Sequence, residues 1–200
     1  MNDFERDDKM QREVRDSVLA PGFYGTYAYD GRYVFMDKGR LATILQKRFA
    51  VDTIVQGKSG RAVAIEEKIV RWPGYRYRCY ALETESCTKP GHESVGWMSY
   101  GQADYLLYCF ILAVGSDLPN QLELHLIDFQ KLKHWFFAGC GVMHFEPFGP
   151  LHTLNGTQGR KVPIESVKAH VGVHVRTLFP DPSDPLCAKH FPGILQGALV

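Results

Sequence analysis

Residues 62–70 read AVAIEEKIV, and the fold predicted for the chain depends on this stretch. Turn residues lie on both sides of it, and its β-branched content predicts a strand, whose successive side chains point to opposite faces of a sheet. One face carries residues suited to a core, interrupted by one acid: Val63, Ile65, Glu67 and Ile69. The other carries small residues and then a charged pair: Ala62, Ala64, Glu66 and Lys68. We interpret the second face as the floor of an open cleft.

The elements predicted before this strand lead up to a partner strand. In order, they are a charged helix over 3–19 that Pro21-Gly22 ends, a hairpin of runs 23–29 and 32–35, a helix over 39–49 and a strand over 51–56. Asp30-Gly31 between the two aromatic runs is a strong hairpin signal. The turn over 57–60 indicates antiparallel pairing of the strands over 51–56 and 62–70.

Two of these helices have a predicted apolar side. In the first helix, Met10, Val14 and Val18 lie four residues apart and form one narrow stripe. In the helix over 39–49, the apolar side consists of Leu41, Ile44, Leu45 and Phe49. Both sides are expected to face the core.

The elements predicted after residue 70 alternate between strands and helices. In order, they are a strand over 75–85, a polar loop over 87–94, a helix over 100–114, a strand over 121–128, a helix from Asp128 to about 137 and a strand over 162–164. The whole is α/β, of the α+β type with a mixed sheet. We expect one domain, with residues 1–138 as its core and 139–200 as a partly irregular extension packed on that core.

Composition limits the classes of function. The formal net charge is +1, so only a local basic patch would attract a polyanion. No run approaches the roughly 20 apolar residues of a membrane span, and the charged start of the chain lacks the apolar stretch of a secretory signal. Five cysteines without tight pairing indicate free thiols in a reducing compartment, so we expect a cytoplasmic protein without membrane contact.

Asp52, Glu66 and Lys68 are the residues expected to carry chemistry. Antiparallel pairing would bring Asp52, at the start of its strand, close to Glu66. Two carboxylates are hard oxygen ligands suited to Mg²⁺ or Mn²⁺, and Lys68 could orient a water or stabilise charge on a phosphate. Two other readings stay open: a one-residue slip would make Glu67 the ligand, and a solvated strand face would use these charges only in cross-strand pairs.

This arrangement resembles the PD-(D/E)xK nuclease superfamily. The residues that carry the resemblance are Asp52 and the element Glu66-Glu67-Lys68 on consecutive predicted strands, and the stretch of residues 65–110 is similar to uncharacterised phage and bacterial members. The resemblance covers roughly residues 3–130. It implies a restriction-endonuclease-like αβββαβ core, here with an extra strand over 75–85 and the C-terminal extension. It also implies the cytoplasm of a prokaryotic or phage-infected cell.

The resemblance implies further site residues. Gln102 and Tyr105 in YGQADYLLY are similar to a Gln-and-Tyr helix motif of some members, with Gln102 assigned to the catalytic set and Tyr105 a weaker candidate. Glu13 is the candidate for the acid of the first helix. Glu83 on the extra strand could bind metal or support Lys68.

The expected activity is metal-dependent hydrolysis of nucleic acid, with DNA as the expected substrate and Mg²⁺ or Mn²⁺ as the cofactor. A basic and aromatic stretch, with Arg71, Trp72 and Arg76, could hold phosphates and stack on bases. Many members of the superfamily dimerise to cut both strands, so a homodimer is also expected. The alternative is a catalytically inactive module of the same fold that binds nucleic acid or protein.

Overall fold

The computed structural model describes residues 3–25, 32–36, 39–57, 59–71, 78–87, 93–112, 121–139, 144–149 and 156–179. Its α-helices are α1 (Asp3–Val14), α2 (Gly39–Phe49), α3 (Trp97–Tyr100), α4 (Phe129–His134) and α5 (Ile164–His170). Two π-helical segments, Arg15–Tyr24 and Trp135–Gly139, continue α1 and α4. None of these described helices is long and apolar enough to span a membrane.

A six-stranded mixed sheet forms the centre of the fold. Its members are β1 (Tyr33–Phe35), β2 (Thr53–Gln56), β3 (Ala62–Arg71), β6 (Tyr105–Leu112), β7 (Gln121–Asp128) and β10 (His174–Leu178), neighbours in this order. β1, β2 and β3 pair antiparallel, β6 runs parallel to β3, and β7 and β10 complete the sheet antiparallel. The predicted mixed α/β class is therefore confirmed.

A second, four-stranded sheet lies within the crossover from β3 to β6 and beyond β7. It consists of β5 (Glu93–Val95), β4 (Cys79–Cys87), β9 (Gly156–Pro163) and β8 (Glu146–Phe148), in that order. β9 and β10, both beyond residue 139, thus pair with β4 and β7 respectively. The strand predicted over 162–164 is the end of the longer β9, and Ile164 begins α5.

Two apolar cores cover the two faces of the six-stranded sheet. The helix face, named for α1 and the π-helical segment after it, buries Met10, Val14 and Val18 against Leu107 and Ile111. The site face, on which Glu66 and Lys68 lie, packs against the second sheet. Its core includes Tyr80, Leu82, Trp97, Leu106 and Phe110. The predicted stripe of the first helix is confirmed.

A buried polar chain links the two sheets on the site face. The Tyr80 hydroxyl lies 2.6 Å from Nδ1 of His125, and Nε2 of His125 lies 2.7 Å from Oε1 of Glu123. A neutral imidazole satisfies both contacts, because Nδ1 accepts from the hydroxyl while Nε2–H donates to the carboxylate. Burial lowers the pKa of His125, which favours that neutral form.

The helix predicted over 100–114 is wrong, because this stretch contains strand β6. β6 pairs parallel with β3 on one side and antiparallel with β7 on the other, and both of its faces are buried. A strand covered on both faces is apolar at every position, so its sequence lacks the alternation of a half-exposed strand. The short helix α3 ends before β6 begins.

The N-terminal prediction also needs correction. Pro21-Gly22 does not end the helix, because Pro21 lies inside the π-helical segment that runs to Tyr24. Phe23 and Tyr24 are therefore helical and cannot form the first strand of a hairpin. The run over 32–35 does contain a strand, β1, but β1 pairs with β2. Asp30-Gly31 lies outside the described residues.

The helix predicted over 39–49 is confirmed as α2, with one difference in its orientation. Leu45 and Phe49 pack against the site-face core as expected. Leu41 and Ile44 instead are 68% and 37% exposed. Only a narrow side of α2 therefore contacts the core. Residues 180–200, the end of the predicted extension, lie outside the described residues.

Candidate functional site

Asp52 is held at the start of β2 by contacts with α2 and with β3. Its main-chain N–H donates to the carbonyl of Ile65 at 2.9 Å, which aligns it with the middle of β3. Its carboxylate accepts from the main-chain N–H of Glu67 at 2.9 Å and from Nε2 of Gln46 at 3.2 Å. Strand pairing and two donors therefore fix the position of the carboxylate.

Glu66 lies on the site face, only 4% exposed. It forms an ion pair with Nζ of Lys68 and a hydrogen bond with Asp52. Burial raises the pKa of Glu66 to about 8; the Lys68 ammonium opposes this shift and the charge of Asp52 adds to it. Near neutral pH, Glu66 is therefore mostly protonated, and the Lys68 ammonium then donates a hydrogen bond to a neutral carboxyl group.

Lys68 lies beside Glu66, with its side chain 30% exposed. Its ammonium also lies 4.7 Å from the centroid of the Trp97 ring, within range of a cation–π interaction. Burial works to lower the pKa of Lys68, but the charges of Glu66, Asp52 and Glu83 outweigh it, so the pKa is raised. Lys68 thus stays a cation in contact with the two carboxyl groups.

Glu83 and Tyr100 form a further wall of the site. Glu83 on β4 accepts a hydrogen bond from the main chain of Trp97 and interacts with Lys68. Burial raises the pKa of the Tyr100 hydroxyl, as do the charges of Glu66, Glu83 and Asp52. The sequence indicates a role for Glu83 but none for Tyr100, because its pattern predicts a single helix over 100–114.

Glycines at both ends of α3 let it approach the site closely. A Cβ added to Gly96 would lie 2.7 Å from the carbonyl oxygen of Glu83. A Cβ added to Gly101 would lie 2.6 Å from the ring of Phe129. Side chains at these two positions would push α3 away from β4 and the neighbouring α4. The glycines therefore hold Trp97 and Tyr100 near Lys68.

Glu67 points to the helix face, away from the site. It is 4% exposed and forms an ion pair with Arg15, in which Nε lies 2.7 Å from Oε2. The hydroxyls of Tyr24 and Thr53 donate to its other oxygen. Glu67 is therefore fully partnered, and the slipped register that would make it a site ligand is not the register of β3.

The other candidates from the sequence are more widely spread. Gln102 precedes β6 and is exposed at a groove next to Tyr100, and its main-chain N–H donates to the carbonyl of Phe49 at 2.7 Å. Tyr105 opens β6 and packs on the helix face, so it does not share the surface of Gln102. Glu13 lies in α1, which also packs on the helix face.

The predicted nucleic-acid contacts cannot be placed. Trp72 and Arg76 lie outside the described residues, and only the main chain of Arg71 is described, at the end of β3.

The donor set fits a hard divalent cation. Among the residues that the structure describes, no group of three or more His, Cys, Asp or Glu side chains converges as a metal site. Asp52 and Glu66 supply two carboxyl groups in contact, and Mg²⁺ is usually held by one or two carboxylates together with waters and substrate phosphates. Zinc, which prefers four nitrogen or sulfur ligands, does not fit. A cation at this point would displace the proton that burial and Asp52 hold on Glu66.

Comparison with known proteins returns no family model, no curated protein and no solved structure that matches this chain. Its function is therefore inferred from the geometry of Asp52, Glu66 and Lys68.

Proposed function

We propose that this protein is a metal-dependent nuclease that hydrolyses phosphodiester bonds, with DNA as the expected substrate. One observation carries the proposal: the carboxyl groups of Asp52 and Glu66 touch on the site face, beside the ammonium of Lys68. Two hard ligands and a cation next to each other suit metal-assisted phosphodiester hydrolysis.

Each residue has a distinct part in this proposal. Asp52 and Glu66 would hold Mg²⁺ or Mn²⁺, which supplies water activation and neutralises phosphate charge when bound. Lys68 donates hydrogen bonds to the attacking water or to the phosphate oxygen that gains charge. The Trp97 ring and Glu83 keep the ammonium of Lys68 in place.

The strand order supports a PD-(D/E)xK-type core. Helix α1 comes first, β1, β2 and β3 form an antiparallel meander, and the crossover leads to β6, parallel to β3. Asp52 directly precedes β2 and Glu66-Glu67-Lys68 lies within β3, which are the positions that the superfamily's motif would occupy. Relative to the superfamily's αβββαβ order, α2 lies between β1 and β2, and β4 and β5 lie in the crossover. The described helix of the crossover is only the four-residue α3, because the stretch predicted as the second helix of the order contains β6.

A cleavage assay tests the proposal. Purified protein is incubated with supercoiled, linear and single-stranded DNA and with RNA, in Mg²⁺, Mn²⁺ or EDTA. We expect cleavage that needs the metal and that Glu66→Ala and Lys68→Ala each abolish. Glu146→Ala and Lys161→Ala are matched controls, because these residues form an exposed pair on the second sheet. Wild-type-like cleavage by both site variants would overturn the assignment.

The second candidate is an inactive binding module of the same fold. It is favoured by one observation: within the described residues, only two carboxyl groups meet, and one of them is paired with Lys68. Calorimetric titration with Mn²⁺ separates the two proposals. No binding, combined with no cleavage of any substrate, would favour the module. The homodimer stays a prediction, which sedimentation of the intact protein would test.

A further inference from the structure

A groove with a positive lining opens next to the candidate site. It occupies about 650 Å³ between α2, α3 and α4. Arg48, Tyr100, Gln102, Gln130 and Lys133 line it. The lining among the described residues has two cations and no carboxylate, in a chain whose formal net charge is only +1. This local charge is the kind of surface that attracts a polyanion.

Arg48 is the most available cation of the groove. It lies exposed in the last turn of α2, and the structure gives it no carboxylate partner among the described residues. Lys133 on α4 has a different role, because its Nζ donates to the main-chain carbonyls of Ser99 and Gly101, at 3.1 and 2.6 Å. Lys133 fixes the wall formed by α3, and Arg48 stays free to bind a phosphate through its planar guanidinium.

The other lining groups suit an unpaired base. Gln130 donates through Nε2 to the carbonyl of Ala103 at 2.8 Å, which holds its amide at the groove. Gln102 is exposed on the same surface. Amides have both donors and acceptors for base edges, and a tyrosine ring such as that of Tyr100 stacks on bases of any type.

Tyr100 connects the groove to the candidate site. It lines the groove and ends α3, whose Trp97 ring lies 4.7 Å from the ammonium of Lys68. A strand that lay along the groove would therefore run next to the candidate site. The volume is that of a pocket for a small ligand and is sufficient for a nucleotide or two of one strand.

We infer that this groove binds a single strand of nucleic acid beside the bond to be cut, with a phosphate on Arg48 and an unpaired base against Tyr100 and Gln130. The identity of the occupant rests on the proposed nuclease function. The groove itself is defined by residues that do not belong to the Asp52–Glu66–Lys68 set.

Binding is measured by fluorescence anisotropy with a labelled 12-nucleotide single-stranded DNA and the matching duplex, in EDTA so that no cleavage occurs. We expect the single strand to bind more tightly than the duplex. Arg48→Ala should weaken that binding about tenfold, as loss of a charge-assisted hydrogen bond would. It should also reduce the slope of log affinity against log salt concentration by about one unit, the contribution of one phosphate contact. Gln130→Ala should weaken it less.

Arg40→Ala is the matched control, since Arg40 is an exposed arginine at the other end of α2. The inference is overturned if Arg48→Ala and Gln130→Ala bind like the wild type, if Arg40→Ala loses as much affinity as Arg48→Ala, or if the duplex binds best.

The same variants separate this inference from the nuclease proposal. Strand binding that depends on Arg48, without any cleavage in Mg²⁺ or Mn²⁺, supports the groove and overturns the nuclease. Cleavage that depends on Lys68, with no effect of the groove variants on binding or on cleavage of single strands, supports the nuclease and overturns the groove.

Discussion

The main-chain N–H of Glu67 donates a 2.9 Å hydrogen bond to Oδ2 of Asp52, while the Glu67 side chain lies on the opposite face of the sheet. One residue thus connects the two faces. Its carboxylate is anchored to Arg15 in the π-helical segment, and its backbone positions a carboxylate of the candidate site. Glu67 therefore connects the π-helical segment to Asp52, through its side chain on one face and its main-chain N–H on the other.

Arg15→Ala should destabilise the fold by about 3–5 kcal/mol, because removing one partner leaves the buried carboxylate of Glu67 uncompensated. Urea unfolding at pH 7 measures this loss. Replacing both partners, Arg15→Met with Glu67→Leu, should recover only part of it, because the buried hydroxyls of Tyr24 and Thr53 then lose their acceptor. Lys131→Ala, which breaks the exposed pair with Asp128, should cost less than about 1 kcal/mol. Equal losses for Arg15→Ala and Lys131→Ala would contradict the buried pair.

Glu66→Gln should change how stability depends on pH. Burial raises the pKa of Glu66 from 4.5 to about 8, so between these values the folded chain holds a proton that the unfolded chain releases. The free energy of unfolding therefore falls as the pH rises through this window, by up to about 1.4 kcal/mol per pH unit. Glu66→Gln lacks this contribution and should be the more stable protein at pH 9.

Urea unfolding of both proteins in EDTA, from pH 5 to 9, gives the comparison. Glu146→Gln serves as the control, since Glu146 is exposed and pairs with Lys161 and not with Lys68. Parallel stability curves for the wild type and Glu66→Gln would show that Glu66 ionises normally in the folded chain.

Affinity for Mn²⁺ should rise with pH up to about 8. The proton on Glu66 must leave before its carboxylate can bind a metal ion, so each bound ion releases close to one proton at pH 7. Affinity should therefore drop by up to tenfold for each pH unit below 8. Calorimetry in two buffers of different ionisation enthalpy counts the released protons. An affinity that stays constant from pH 6 to 8 would exclude Glu66 as a ligand.

Tyr80→Phe should destabilise the protein by about 1–3 kcal/mol, because it leaves Nδ1 of the buried His125 without a donor. Thermal unfolding at pH 7.5, where His125 is neutral, measures the effect. Tyr105→Phe is the control, since Tyr105 is only partly buried, and it should change stability by less than about 0.5 kcal/mol. Similar small losses for both variants would mean that the Tyr80 hydroxyl contact contributes little.

The sequence predicted the placement of Asp52, Glu66 and Lys68 well because the deciding signals are local. The alternation along β3 places Glu66 and Lys68 on one face, and a short turn fixes the antiparallel partner that carries Asp52. The alternation along β3 and its pairing with β2 do not depend on contacts with distant segments of the chain.

The sequence did not predict the surroundings of the site, since these depend on contacts between distant segments. The apolar residues of β6 show no hydrophobic periodicity that would distinguish a strand from a helix. This segment is a strand because it pairs with β3 on one side and with β7 on the other. That error assigned Gln102 and Tyr105 to one helix surface, whereas the structure separates them. For the same reason the sequence did not indicate Tyr100, which lies near the site only because α3 packs against β4.

The pairing of β4 with β9 sets an order for the assembly of the protein as it is made. β4 carries Glu83 and supports α3, yet its central partner comes from residues 156–163, and Thr84 bonds to Gln158 across 74 positions of sequence. Such distant pairing closes slowly, because the loop between the strands must be ordered first. We therefore expect the wall around Lys68 to stay incomplete on a nascent chain until β9 has left the ribosome.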